Sequence, residues 1–276
     1  MKTSTIPYVK LSGQGNDFVV IDGQDLTGEQ DLKNIPQWAD RSSGVGFDQL
    51  LLVHPTASTS AFDVTIYNAD GSAAEQCGNG MRALAFYIMN RQPELDIQEV
   101  TLHPPAGRVR IKKAQVLTAN KQALVSVSLP GPTEIGTHSA TPFAPATHVV
   151  QLSMGNPHLI LVWPEIPSEK ACLDVGGALQ THPNFPGGIN VSLAHAAESG
   201  VFLRVYERGV GPTLACGSGA CATVAALTTL GLDVAGGSVH QPGGPLVIHW
   251  QATPDSDHEM ELTGTVDWIQ SGKLAV

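Results

Sequence analysis

Cysteine is scarce in this chain of 276 residues, with four, at positions 77, 172, 216 and 221. That number and that irregular spacing do not make a secreted disulfide framework, and no Cys-x-x-Cys pair offers half of a zinc site. The four are expected to stay reduced thiols in a cytosol. Basic residues are also few, 15 Lys and Arg against 25 Asp and Glu, and a formal charge of -10 argues against a nucleic-acid partner. Long apolar runs are missing: no stretch reaches the length of a membrane span, and the segment Met1 to Leu11 lacks the apolar block of a secretory leader. The expectation is a soluble cytoplasmic protein with no membrane partner. What the chain does have is 42% hydrophobic residues, enough for a real core, and a length that suits two domains.

Compared with itself, the sequence shows a weak internal repeat at an offset near 139. Tyr67 stands ten residues before Cys77-Gly78-Asn79-Gly80, and Tyr206 stands ten before Cys216-Gly217-Ser218-Gly219. Upstream, Gly15-Asn16 precedes the apolar run Phe18 to Ile21, and Gly155-Asn156 precedes Leu159 to Val162. A polar amide recurs as Gln49 in one half and Asn190 in the other. Any one match could be chance in a glycine-rich chain, but matches in the same order point to duplicated structure.

Each half reads as several short strands followed by one helix. In the first, Lys10 to Asp22, Gln49 to His54, Asp63 to Asn68, Glu99 to His103, Arg108 to Lys112 and Ala123 to Leu129 are Val-, Ile- and Leu-rich segments bounded by turn residues. Helices are expected over Gly78 to Asn90 and Gly217 to Leu230, the second apolar on nearly every face. A helix without a polar face has to be surrounded. The expected fold is therefore α/β (α+β): two similar lobes, each a mixed, barrel-like sheet wrapped around its own helix, with a site in the cleft between them. Pro130 to Pro145, loaded with Pro, Thr and Gly, reads as a long surface loop.

Cys77 and Cys216 stand where the two helices begin. A helix N-terminus carries unpaired N–H groups and roughly half a unit of positive charge, which favours a thiolate or carboxylate there. Such a position can bring a thiol pKa from about 8.5 toward roughly 3.5 to 7.5, making it a usable base. The glycines that follow leave the backbone open, so that Gly78-Asn79 and Gly217-Ser218 could aim N–H donors at a bound carboxylate. Most cysteines are simply small buried hydrophobes, the reading given to Cys172 and Cys221. Two matched thiols suggest two matched tasks: taking a proton from one face of a carbon and returning one to the other.

The motifs Gly15-Asn16-Asp17-Phe18, Gly46-Phe47-Asp48-Gln49, Asn68-Ala69-Asp70-Gly71-Ser72, Cys77-Gly78-Asn79-Gly80, Met154-Gly155-Asn156-Pro157-His158, Tyr206-Glu207-Arg208-Gly209 and Ala215-Cys216-Gly217-Ser218-Gly219-Ala220-Cys221 together resemble the diaminopimelate epimerase family over almost the whole chain. The resemblance implies interconversion of L,L- and meso-diaminopimelate, on the route to lysine and peptidoglycan, with no pyridoxal phosphate, metal or other cofactor. It implies Cys77 as proton donor and Cys216 as acceptor in the L,L-to-meso direction, with Gly78, Asn79, Gly217 and Ser218 holding the reacting carboxylate. Asn16, Gln49, Asn68, Asn156, Asn190 and Arg208 would bind the distal amino-acid end, and His158 and Glu207 would orient the substrate ammonium and tune the thiols. It also implies lobes over 1–119, with 264–276 returning, and 120–263. Ser12 and Gln14 depart from the His and Leu common before Gly15-Asn16, and Met81 and Ala83 from a common Ala and Cys. Gln270 stands where many relatives carry an aromatic residue associated with dimer contact, so a homodimer stays open.

Other readings of the residues remain. A proline racemase or hydroxyproline epimerase of the same fold would use the same thiol pair on a smaller substrate, although Arg208 and the asparagines argue for a second amino-acid head. A cysteine hydrolase would take Cys216 as nucleophile and His158 as base, but leaves the repeat unexplained. A phosphatase loop fails on spacing, since Arg82 is five residues after Cys77 and the pattern needs six. A non-enzymatic thiol redox or metal-binding protein remains as a weak alternative, for Cys216 and Cys221 are too far apart for Cys-x-x-Cys chemistry and lack a nearby third ligand.

Overall fold

The computed structural model describes residues 5–26, 28–118, 121–143, 145–232, 234–250 and 259–276. They form two compact units, one running to Ser128 and resuming over Gly264–Val276, the other spanning Leu129–Thr263. The boundary expected at 119/120 falls on residues outside those described, as do the first four residues of the N-terminal segment. The strand just after 119/120, Gln122–Leu129, pairs back on Val109–Thr118.

In the first unit the elements are β1 (Thr5–Gly13), β2 (Asn16–Asp22), α1 (Ile35–Ala39), β3 (Gln49–Pro55), β4 (Ala61–Asn68), β5 (Ala73–Ala74), α2 (Gly78–Arg91), β6 (Thr101–His103), β7 (Val109–Thr118) and β8 (Gln122–Leu129). The second contains β9 (Thr133–His138), β10 (His148–Ser153), β11 (Pro157–Val162), α3 (Glu169–Leu179), β12 (Asn190–Ala197), β13 (Gly200–Glu207), β14 (Gly211–Thr213), α4 (Gly217–Thr229), β15 (Ser238–Gln241) and β16 (Gly244–His249). The last strand, β17 (Met260–Ala275), begins in the second unit and continues in the first.

The repeat seen in the sequence is written into the strand registers. In the first unit Phe18 lies opposite Gln49 across the parallel pair β2–β3, and in the second His158 lies opposite Asn190 across the parallel pair β11–β12. Tyr67 faces Ala73 as Tyr206 faces Pro212, and the parallel partners Ala61 and Thr101 correspond to Val201 and Val239. In the first unit the pairings run from β17 through β1, β2, β3, β4, β6, β7 and β8 and back to β17, so the sheet closes around α2. Residues Gly78 to Ile88 of α2 are all buried, as are all but Ser218 of Gly217 to Leu227 in α4. Such all-round burial explains why neither helix has a strong polar face. A further layer covers the outside of each sheet. Trp38 and Ile35 of α1 pack with Val19, Ile21, Leu50 and Leu52, and Leu179 of α3 packs with Leu159, Leu161, Val191 and Leu193. Strands β2, β3, β11 and β12 are therefore apolar on both faces rather than alternating.

Three expectations need correction. The segment Lys10 to Asp22 is not one strand but a hairpin: Gln14 and Gly15 both have positive φ, 50° and 81°, and turn β1 into β2. Pro130 to Pro145, of which Ala144 is outside the described residues, is not all loop. It contains β9, an exposed strand paired with β10, whose polar sequence gives no alternation to read. Each half also carries an outer helix besides the central one; α3 is started by Ser168, whose hydroxyl accepts from the Ala171 N–H.

Leu84 of α2 and Leu227 of α4 are fully buried, whereas Leu173 is 52% exposed. Leu84→Ala and Leu227→Ala should each cost about 2–5 kcal/mol in urea unfolding, and Leu173→Ala should stay within about 0.5 kcal/mol. Equal midpoint shifts for the three would contradict the placement of the central helices.

Candidate functional site

Each central helix begins on a cysteine. Cys77 has extended backbone angles (φ −153°, ψ 97°) and caps α2, its Sγ accepting from the Gly80 N–H at 3.3 Å. Cys216 (φ −130°, ψ 114°) caps α4 in the same way, its Sγ accepting from the Gly219 N–H at 3.4 Å with the Ser218 hydroxyl at 3.5 Å. The second glycine of each motif has a steric reason. A Cβ at Gly80 would lie 3.3 Å from Cys77 Sγ and 3.2 Å from Leu51, and one at Gly219 would lie 3.3 Å from Cys216 Sγ and 3.1 Å from Val205. Sulfur, helix start and sheet approach so closely that a side chain would push them apart.

In the first unit Asn16, Gln49 and Asn79 stand at the starts of β2, β3 and α2, the helix that Cys77 caps, and Asn68 at the end of β4. Gln49 and Asn68 are cross-strand partners, with Gln49 Nε2 donating to Asn68 Oδ1 at 3.1 Å. Asn68 in turn donates to Ser72 Oγ at 3.0 Å, which holds the turn that leads to β5. Asn79 Nδ2 donates to Asn16 Oδ1 at 2.8 Å, tying the helix start to the β1–β2 hairpin.

The second unit gathers Asn156, His158, Asn190, Glu207 and Arg208 with Cys216, Gly217 and Ser218. Asn190 uses both ends of its amide: Oδ1 accepts the Arg208 N–H at 2.9 Å, and Nδ2 donates to the Pro157 carbonyl at 2.9 Å. It thereby sets the turn carrying Arg208 against the start of β11. Gly188, at φ 71°, leaves room for the Arg208 stem, since a Cβ there would come within 3.1 Å of Arg208 Cγ. Glu207 accepts from Thr213 Oγ1 at 2.6 Å. Burial raises its carboxyl pKa above the ordinary 4.5, opposed by hydrogen bonds from Thr213 and from the Cys216 thiol. A carboxylate thus sits directly on the sulfur expected to handle a proton.

His158 is fully buried, and its Nε2 lies 2.9 Å from Asn156 Oδ1. The amide oxygen can only accept, so Nε2 carries the proton and the lone pair is on Nδ1, which has no partner among the described residues. Burial, reinforced by the positive charge of Arg208, holds the imidazole pKa down to about 3. His158 is therefore a neutral ring presenting an acceptor, and a poor general base at neutral pH.

Cys172 and Cys221 are both buried, and burial pushes the Cys172 thiol up to about 11. Two contacts near the thiols were not foreseen. Gln241 Oε1 accepts the Cys216 N–H at 2.8 Å, and Arg82, wholly buried in α2, donates to Asn79 Oδ1 at 3.0 Å and also to Gln14 Oε1. The signal for Arg82 was a charged residue on a helix with no exposed face. Gln241 lies 25 residues from its partner and gave none.

The depressed pKa of His158 has a sign that can be measured. The unfolded imidazole takes up a proton near pH 6.5 while the folded one resists until about 3. Its contribution is complete above 6.5 and is lost as the pH falls toward 3, at up to about 1.4 kcal/mol per pH unit. His158→Gln should therefore lose less stability than the parent between pH 6.5 and 4 in urea titrations. Parallel slopes would show that His158 is already charged in the folded protein.

The family profile described as diaminopimelate epimerase matches residues 8–127 and 150–269. A diaminopimelate epimerase of Neisseria meningitidis serogroup A is 35% identical over 295 residues, covering 99% of this chain and 99% of that protein. Among solved structures, a phenazine biosynthesis protein of the PhzF family from Bacillus anthracis superposes with a TM-score of 0.74 at 15% identity, covering 100% of both chains. A hydroxyproline epimerase from Agrobacterium vitis, with bound trans-4-hydroxy-L-proline, gives 0.70 at 15% identity, over 99% of this chain and 93% of that one. These two share the fold. The profile match in both halves and the near full-length identity establish that this chain belongs to the diaminopimelate epimerase family.

Proposed function

We propose that the protein interconverts L,L- and meso-diaminopimelate without a cofactor, using Cys77 and Cys216 as an acid and base pair. The observation that carries this reading is the duplicated cap: two thiols, each at the positive end of a buried helix and each accepting from that helix's third N–H. In each motif the fourth N–H, on Met81 or Ala220, returns to the cysteine carbonyl. The two N–H groups a substrate carboxylate would take are then those of Gly78 and Asn79 in one lobe and of Gly217 and Ser218 in the other. Negative charge that builds on this carboxylate as the α-carbon loses its proton is stabilised by donors already in place.

In the L,L-to-meso direction the Cys216 thiolate takes the α-proton, becoming a thiol. The Cys77 thiol gives its proton to the opposite face of the carbanion, becoming a thiolate. The reverse reaction exchanges the roles, so no net proton is consumed. Glu207 beside the Cys216 thiol biases which sulfur holds the proton, and His158 offers Nδ1 to the substrate ammonium. Arg208, with Asn16, Gln49, Asn68, Asn156 and Asn190, binds the distal amino-acid end, which proline and hydroxyproline lack. A hydrolase with His158 as base is disfavoured by the low basicity of that ring. The same reading places the protein in the cytoplasm, in lysine and peptidoglycan precursor synthesis; no helix among the described residues is long and apolar enough to cross a membrane.

The reduced protein in heavy water should convert L,L-diaminopimelate to the meso form with deuterium at one carbon, while leaving L-proline and trans-4-hydroxy-L-proline unexchanged. Cys77→Ala and Cys216→Ala should each lower turnover by at least about a thousandfold, and Cys172→Ala by less than about twofold. Exchange confined to the imino acids would move the assignment to the smaller substrates, and a fully active Cys77→Ala enzyme would remove the paired-thiol mechanism.

A further inference from the structure

The hairpin turn at Gln14-Gly15 is held by a buried chain of hydrogen bonds that ends at a residue assigned above to substrate. Gln14 is only 6% exposed and has the rare positive φ of 50° for a residue with a side chain. Its Nε2 donates to the Thr265 carbonyl and hydroxyl at 3.4 and 3.3 Å, on the returning strand β17. Its Oε1 accepts from Arg82 Nη2, which also donates to Asn79 Oδ1 at 3.0 Å. Asn79 Nδ2 then donates to Asn16 Oδ1 at 2.8 Å.

The direction of every bond in this chain is forced. A guanidinium has donors only, and a main-chain carbonyl accepts only. Between them Gln14 must turn its NH2 to Thr265 and its oxygen to Arg82. Asn79 must also turn its oxygen to Arg82, which leaves its NH2 for Asn16. Asn16 must receive that bond on oxygen, which turns its oxygen toward Asn79 and leaves its NH2 as the end directed away from it. An asparagine read in isolation could present either end.

We propose that Arg82, braced by Gln14, is a positioning residue that fixes the orientation of the Asn79 and Asn16 amides, so that Asn16 presents its NH2 to the substrate. The group that this NH2 recognises is then an acceptor, a carboxylate oxygen of the substrate. This rests on the diaminopimelate reading for the identity of the substrate, but the polarity of the chain does not. Arg82 touches no substrate in this scheme; its effect reaches the ligand through Asn79 and Asn16.

The test uses three variants of the full-length protein and two readouts. Asn16→Asp keeps an acceptor for Asn79 and replaces the outward NH2 by an anionic oxygen. It should raise KM for L,L-diaminopimelate by about tenfold or more, and raise KM more than it lowers kcat. Arg82→Gln can donate or accept and so no longer enforces the order; KM should rise about three- to tenfold. Arg82→Lys remains a donor and should restore KM to within about threefold of the parent. The second readout does not need turnover: side-chain amide hydrogen exchange, followed by NMR on asparagine-labelled protein, should find the Asn79 NH2 protected in the parent and in Arg82→Lys and exposed in Arg82→Gln. If the parent protein turns over no diaminopimelate, the substrate assignment fails and the exchange readout alone decides the relay. The proposal is overturned if Asn16→Asp leaves KM unchanged or lower, or if the Asn79 amide is equally protected, or equally unprotected, in the parent and in Arg82→Gln.

Discussion

A single kind of hydrogen bond organises this protein: the third N–H of a buried helix donated to the sulfur of the cysteine that precedes it. The first turn of any helix has N–H groups that its own carbonyls cannot reach, and a buried helix cannot leave them all to solvent. Usually a hydroxyl or carboxylate oxygen does this work. Here a sulfur does it twice, and in the proposed reaction the same contact that completes the helix would stabilise the sulfur as an anion. The helix must be buried for its end to retain its electrostatic strength away from screening water, which is why each lobe wraps its sheet around it.

The sheets serve the same end by registration. Parallel pairing of β2 with β3 and of β11 with β12 puts Gln49 beside the start of one hairpin and Asn190 beside the start of the other. Antiparallel return through β4 and β13 then brings Asn68 and the Glu207-Arg208 pair to the same ends of their strands. A slip of one residue would turn these polar side chains to the opposite face and bring apolar neighbours forward. The two outer helices make such slips costly by burying the second face of the strands that carry these residues.

The legible part of this architecture was what repeats or what is apolar. Cys77 and Cys216 stood out because each is followed by Gly-x-Gly; the reason for Gly80 and Gly219, close approach to the sulfur and to a strand, is visible only in the structure. The central helices were legible from the spacing of their Ala, Met, Leu and Arg residues, and the second also from its lack of a polar face. The hairpin inside Lys10 to Asp22 was not, because Gln14 is a poor advertisement for a turn; its positive φ is sustained by buried bonds to Thr265 and Arg82 that lie 251 and 68 residues away. Strand β9 was hidden for the opposite reason: it is exposed, so nothing in Thr133–His138 alternates. Gln241 and Arg82 matter through contacts closed by tertiary structure, which no local spacing encodes. Among the residues that the resemblance assigns to ligand binding, Asn68 and Asn190 each make hydrogen bonds that fix the turn or strand beside them.

The long strand β17 carries a consequence for biogenesis. Its portion from Gly264 onward pairs with β1 from Ser12 back to Thr5, and Trp38 of the early helix α1 donates to the carbonyl of Ala275. The lobe begun first is thus the one that cannot be completed until Gly264–Val276, made after the whole of the second lobe, has left the ribosome, whereas the second lobe has nearly all its strands in hand earlier. The nascent first lobe spends that interval with the edges of β1 and β8 unpaired, a period in which a chaperone or the speed of translation has most influence over the yield of native protein.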